Sequence, residues 1–227
     1  MKRALVIAAH PDDEVLGCGA TISKYSRQGI KFMALFIAEG SSCRFVDPVC
    51  TASIATIAVR TQQALNALAI MGVKDYFFND LSCGRLDQVP IIEINKVIED
   101  AIRDFEPDTL FTHSAYDVNN DHRIVSRATI MATRPGALNQ VSRLMSYEVL
   151  SSSEWSFGEP FSPNIFEQIE EQDLKIKWQA LSAYQTEVKS YPFPRSEEGI
   201  RIQAMSRGMQ AGIPLAEAFH LIREFKA

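Results

Sequence analysis

The stretch Ala4-Leu5-Val6-Ile7-Ala8-Ala9-His10-Pro11-Asp12-Asp13-Glu14 decides the fold. A short, continuous apolar run that stops at a polar cluster reads as a strand buried on both faces. Its far end delivers an imidazole and three carboxylates into the first turn of a helix. Pro11 suits that position, because an early helical N–H has no partner to lose. The positive end of a helix favours negative charge, so Asp12 and Asp13 are expected to be ionised. Capping accounts for one aspartate at such a place. It does not account for a histidine and two aspartates directly after an apolar strand. An imidazole and a carboxylate three residues apart, His10 and Asp13, can converge on one cation.

Outward from this stretch, short apolar runs alternate with helical patterns. A helix over 14–27 closes at Gln28-Gly29. A strand over 31–37 follows, then a polar loop over 38–49. The helix over 51–71 shows Ala55, Val59, Ala64, Leu65 and Leu68 at helical spacing and stops at Gly72. A short strand over 75–78 leads to a loop over 79–89, and Pro90 opens a helix with the stripe Ile91, Ile94, Val97, Ile98 and Ile102. A strand over 109–113, a loop over 114–121, a helix over 122–132 and a strand over 144–150 complete the pattern. This is the rhythm of an α/β protein with a mostly parallel sheet flanked by helices. From Ser151 the rhythm changes to a loop, a partly helical stretch over 165–183, a break at Tyr191-Pro192-Phe193-Pro194, and helices over 197–210 and 214–225. The expectation is one domain over 1–227. An α/β core spans about 1–150, and a helical C-terminal extension over about 151–227 shapes the pocket.

Composition narrows the function. The chain has 227 residues, 46% apolar and 22% charged, with net charge -5. No basic patch is present, which argues against nucleic acid or an anionic membrane as partner and leaves small molecules. The apolar run near the start is too short for a signal peptide core, and no other approaches a membrane span. A cytoplasmic protein is expected. Cys18, Cys43, Cys50 and Cys83 form no C-x-x-C pair and read as free thiols in a reducing compartment. Gly17-Cys18-Gly19 begins like a dinucleotide fingerprint, but Ile22 stands where the third glycine belongs, and these glycines fall inside a helix.

Of the four histidines, His10, His113 and His122 fall at or just after strand ends, the edge where open α/β sheets bind ligands. His220 falls in the predicted last helix and reads as a packing or surface residue. In Asp117-Val118-Asn119-Asn120-Asp121-His122-Arg123 an acid and an imidazole again stand where a helix begins. His122 completes a set of two imidazoles and one carboxylate with His10 and Asp13. Three protein ligands leave a position open, the pattern of catalytic rather than structural zinc. The same set also suits iron(II).

The motif His10-Pro11-Asp12-Asp13-Glu14 after a first strand, with Asp121-His122 opening a later helix, resembles the LmbE-like or PIG-L family of N-acetyl-sugar deacetylases. The similarity covers about residues 5–147 well and the last third loosely. It implies a Rossmann-like fold, Zn2+ held by His10, Asp13 and His122, and Asp12 as general base. The implied substrate is a small N-acetylglucosamine-type compound, free, glycosidic or nucleotide-linked, and the chain is expected to form a homo-oligomer. By the same resemblance Arg60 and Asp80 contact the sugar. One departure stands out. Many relatives have a histidine where this chain has Asn119, so oxyanion stabilisation there would come from an amide. Asp121, and with it His113, is expected to orient neighbouring groups. Tyr191-Pro192-Phe193-Pro194-Arg195 reads as an interhelix loop, or alternatively as a cover for a sugar or a holder of an anionic group. Two other functions fit the same residues: a metal- or sugar-binding member without turnover, and an amidohydrolase acting on a non-sugar acylated amine.

Overall fold

The computed structural model describes residues 1–136 and 141–225. Strand β1 (Arg3–Ala8) is the apolar run that leads to His10. Its side chains alternate between two cores, as a strand covered on both faces must. Ala4, Val6 and Ala8 enter one cluster and Leu5, Ile7 and Ala9 the other. Helices α1 (Asp13–Arg27), α2 (Thr51–Met71), α5 (Glu171–Ser182) and α6 (Glu197–Ala211) contribute to the first cluster. Helices α3 (Ile91–Phe105) and α4 (Asn120–Ala132) cover the second. The predicted stripe of α3 holds: Ile94, Ile98 and Ile102 are buried. The predicted stop of α2 holds as well, with Gly72 in the left-handed conformation at φ 78°.

The remaining strands are β2 (Lys31–Ala38), β3 (Asp75–Leu81), β4 (Thr109–His113), β5 (Arg143–Tyr147), β6 (Ile165–Gln168) and β7 (Ala216–Glu224). They form one sheet in the order β3-β2-β1-β4-β5-β7-β6. The first five in chain order are parallel, and β7 runs antiparallel between β5 and β6. The chain leaves β1 toward β2 on one side, while β4 pairs on the other. The order therefore reverses between β1 and β4, and the crevice at their carboxyl ends is the topological switch point.

The α/β class holds, but the C-terminal third is not a purely helical extension. The expected helix over 214–225 is strand β7, which places His220 on a strand. Leu215, Ala216, Ala218 and Phe219 are also compatible with a helical face. The strand prevails because it pairs along both edges and sets Phe219 against Phe111, ring centroids 5.1 Å apart. The stretch expected as partly helical over 165–183 divides into β6 and α5. Strand β3 runs past the predicted end to Leu81, which pairs with Ala38 after a register shift, so Asp80 lies on an edge strand rather than in a loop. Strand β5 stops at Tyr147, short of the expected residue 150.

Candidate metal centre and active site

His10 leaves the end of β1, and Asp13 opens α1. The Asp13 Oδ2 atom accepts the His10 backbone N–H at 2.9 Å, so the carboxylate folds back toward the strand end. The turn is made by Asp12, whose φ of 118° is rare for a residue with a side chain. Backbone strain of this kind is retained where the surroundings over-determine it, commonly at functional sites. His122 enters from the first turn of α4, which Asn119 caps by accepting the Asp121 N–H through Oδ1 at 2.9 Å.

Asp13 Oδ2 stands 3.5 Å from His10 Nδ1 and 3.4 Å from His122 Nε2. Ligand atoms of these three residues all lie within 4.8 Å of one another. Donors about 2.0–2.1 Å from a shared zinc at tetrahedral angles stand about 3.3 Å apart, so the spacing fits one cation. Each imidazole is held from behind by a carboxylate, the usual support of a metal-ligating histidine. Asp121 Oδ2 is 2.9 Å from His10 Nε2, and Asp117 Oδ1 is 3.2 Å from His122 Nδ1. Asp121 is itself fixed by the backbone N–H groups of Gly84 at 2.6 Å and Leu86 at 3.2 Å. Ser152 and Ser153 donate their hydroxyls to Asp117.

The electrostatics follow from burial among opposite charges. Burial opposes a charged His10, but hydrogen bonds to Asp121 and Asp13 outweigh it and push the ring up to about 10. Burial likewise opposes a charged His122, and Asp13 and Asp117 push it up to about 9. Burial would raise Asp13, yet charged His122 and hydrogen bonds from His10 and His122 hold it well below the carboxylate range. His113 behaves differently. Its Nε2 accepts the Ala9 N–H at 2.8 Å, and burial lowers the ring to about 3. Neutral His113 stacks on His122 with centroids 4.0 Å apart, which fixes that ring's plane.

Asp12 faces a different set of partners. Arg195 Nη1 donates to its Oδ2 at 2.7 Å, and Arg60 Nη1 lies 3.4 Å from the same oxygen. Glu187 ties the two arginines together: Arg60 donates to its Oε1, and Arg195 to its Oε2 at 3.2 Å. Burial pushes Asp12 up to about 6, against the pull of Arg195. Glu14, the last acid of the motif, accepts the Tyr184 hydroxyl at 2.7 Å, and burial pushes it up to about 8.

The structure therefore brings His10, Asp12, Asp13, Asp121 and His122 together. Arg60 is buried at 3% exposure and engaged with Pro11, Asp12 and Glu187, so it holds Asp12 rather than presenting an open binding edge. Asp80 is exposed on edge strand β3, and among the described residues no side-chain hydrogen bond or ion pair engages its carboxylate. His220 lies away from the cluster, with Nδ1 2.8 Å from the Ser162 carbonyl. Asp117, Glu14, Tyr184 and Glu187 have no assigned role in the sequence alone; Arg195 reads there as part of an interhelix loop or as a holder of an anionic group, and the anion it meets is the Asp12 carboxylate. Asp117 carried a weak signal, an acid shortly before Asn120 in the same polar loop. Glu187 carried none, because only the fold brings it to α2.

Two features define the class: a doubly wound α/β sheet and, at its switch point, a buried cluster of two imidazoles and one carboxylate with metal-ligand spacing. The chain belongs to the PIG-L family, described as GlcNAc-PI de-N-acetylase, whose profile matches residues 5–133. Over 190 residues it is 27% identical to the uncharacterized deacetylase YaiS of Escherichia coli (strain K12), covering 82% of this chain and 91% of that relative. Among solved structures, N,N'-diacetylchitobiose deacetylase from Pyrococcus horikoshii superposes with a TM-score of 0.79 at 21% identity, over 98% of this chain and 84% of that one. GalB from Pseudomonas putida KT2440, a 4-carboxy-2-hydroxymuconate hydratase, superposes with a TM-score of 0.74 at 21% identity, over 100% and 98% of the two chains.

Proposed function

We propose that this protein hydrolyses the N-acetyl group of a small, sugar-based substrate, releasing acetate and a free amine, with Zn2+ as cofactor. The observation that carries the reading is the convergence of His10, Asp13 and His122 beside Asp12, a carboxyl group raised toward neutrality. His10, Asp13 and His122 would hold the zinc, which when bound supplies a Lewis acid at the amide carbonyl and lowers the pKa of water. Asp12 takes the proton of the attacking water and returns it to the leaving nitrogen as the C–N bond breaks. Arg195 and Arg60 keep that carboxylate in place. The Asn119 side chain caps α4 through its oxygen, which leaves its NH2 group to donate toward the developing oxyanion. Asp121 and Asp117 orient the two imidazoles. Asp80, on the exposed edge, is retained as a contact to a sugar ring outside the reacting group. The relatives' names support an N-acetyl sugar as the substrate class.

The test combines metal analysis of wild type and His122→Ala with amine release from a panel of N-acetylglucosamine derivatives. About one metal per chain, lost in the variant, with zinc-dependent amine release, is the expected result. No metal after zinc is offered would overturn the reading. Bound metal without amine release on any derivative would overturn sugar deacetylation in favour of a binding member without turnover or an amidohydrolase acting on a non-sugar acylated amine.

A further inference from the structure

Two cysteines stand at the edge of this site, and the proposed reaction uses neither. Cys43 lies on a single 3-10 turn after β2 (Ser42–Arg44), and Cys83 in the loop after β3. The Cys83 thiol donates to Cys43 Sγ at 3.1 Å, and no disulfide joins the two. Cys83 is buried, whereas Cys43 is exposed and opens the pair to solvent. The loop is fixed on both sides: the Cys83 N–H donates to Glu39 at 2.7 Å, and the Gly84 N–H donates to Asp121 at 2.6 Å. Gly84 itself permits the approach, since its φ is +73° and a Cβ there would meet Cys43 Cβ at 3.1 Å.

The thiol pair abuts polar groups rather than apolar packing. Ligand atoms of His10, Cys83 and Asp121 lie within 4.8 Å of one another, a second cluster that shares His10 with the first. Buried cysteines that act only as small hydrophobes sit among apolar side chains, as Cys18 does in the core. The second cluster offers one sulfur, one imidazole and one carboxylate, and Cys43 Sγ, 3.1 Å from Cys83 Sγ, stands beside it as a second soft donor.

We propose that Cys43, Cys83 and Asp121, together with His10 Nε2, form a second site that takes a thiophilic divalent cation such as zinc in excess or cadmium, and that a cation there, bound beside the first, inhibits the reaction. Binding converts both thiols to thiolates and releases their protons to solvent. It also draws the Asp121 carboxylate off His10 Nε2, removing the support of the first site. The inhibition rests on the metal-dependent reading given above. The thiolate site itself does not.

The test is a cadmium titration of the whole protein, kept reduced with a phosphine, followed by the ultraviolet thiolate-to-cadmium charge-transfer absorption. Wild type should develop the band and reach two cations per chain. Cys83→Ser should lose it, and Cys43→Ser, at an exposed position where folding is not at stake, should lose it too. His122→Ala should keep the band while losing the first site, so a protein that releases no amine still reports on the thiolates. Where turnover is measured, zinc beyond one equivalent should inhibit wild type, with the inhibitory concentration at least about tenfold higher in Cys43→Ser. No band in wild type, or a band that persists in both serine variants, would overturn the site. Zinc inhibition unchanged in both variants would overturn the inhibitory role of this site.

Discussion

Asp121 touches no reacting group, yet three partners converge on it: His10 Nε2 and the N–H groups of Gly84 and Leu86. Replacing it by asparagine keeps its size and removes the charge that holds the imidazole. Asp121→Asn is expected to weaken zinc binding by about 10- to 100-fold in a metal-buffer titration. Arg195 acts on the other side of the centre, where it donates to Asp12, Glu187 and Ser151. Arg195→Ala should leave metal content unchanged and lower kcat by about 100-fold, the scale of an angstrom-sized misplacement of a catalytic group. A kcat within twofold of wild type would show that Arg60 alone positions Asp12. At this scale the sequence was legible where chemistry is local. His10, Asp12 and Asp13 adjoin one strand end, and Asp121-His122 another, so position along the chain stood in for position in space. Tyr184, Glu187 and Arg195 carried no such mark. All three follow β5 in the chain, and only the fold brings them to the turn that holds Asp12 and Glu14.

Helix α1 shows what an element must satisfy to carry a ligand at its first turn. At Gly17 a Cβ would overlap the ring of Tyr147, and that ring is fully buried. Alanine normally favours a helix over glycine by about 1 kcal/mol. Here Gly17→Ala is expected to destabilise the fold by about 1–3 kcal/mol through overpacking, read as a lower urea midpoint. Further along, Lys177 of α5 donates to the Leu16 carbonyl at 2.7 Å and to Glu217 at 2.6 Å, and Glu217 accepts the N–H groups of Ala20 and Thr21. A buried ion pair thus meets the backbone of α1 midway along its length. Lys177→Met should cost about 3–5 kcal/mol by leaving Glu217 charged and unpaired. Adding Glu217→Gln should recover part of that loss; equal stability of single and double variants would refute the coupling. Helices α1, α2 and α3 were legible because their apolar spacing or glycine stops agree with their surroundings. Strand β7 was not, since its alanine-bearing start is neutral between helix and strand and its two neighbours decide the outcome.

The whole molecule depends on one sheet that joins distant parts of the chain. Asp108, at the entry to β4, accepts the backbone N–H groups of Lys2 at 2.5 Å and Arg3 at 3.3 Å, so it ties β1 to β4 at the end opposite the site. Burial alone would raise its pKa, but the Thr109 hydroxyl and these N–H groups hold it below the ordinary aspartate value. A carboxyl group lowered in the folded state adds stability that is fully present above its unfolded pKa and fades as pH falls through the folded one. Asp108→Asn should therefore reduce stability at pH 7 and flatten its loss at acid pH below about 4, measured as urea midpoints across that range. Equal acid slopes in the two proteins would exclude the role. The parallel sheet was readable from the alternation of runs, while its closure through β7 was not. That closure has a consequence for biogenesis. Among the described residues, strand β6 pairs with β7 alone, and β7 is the last strand in chain order. During synthesis, His10, Asp13 and His122 leave the ribosome well before the strand that completes the sheet. A nascent chain can thus expose the residues proposed to hold the metal before Arg195, which holds Asp12, has been made.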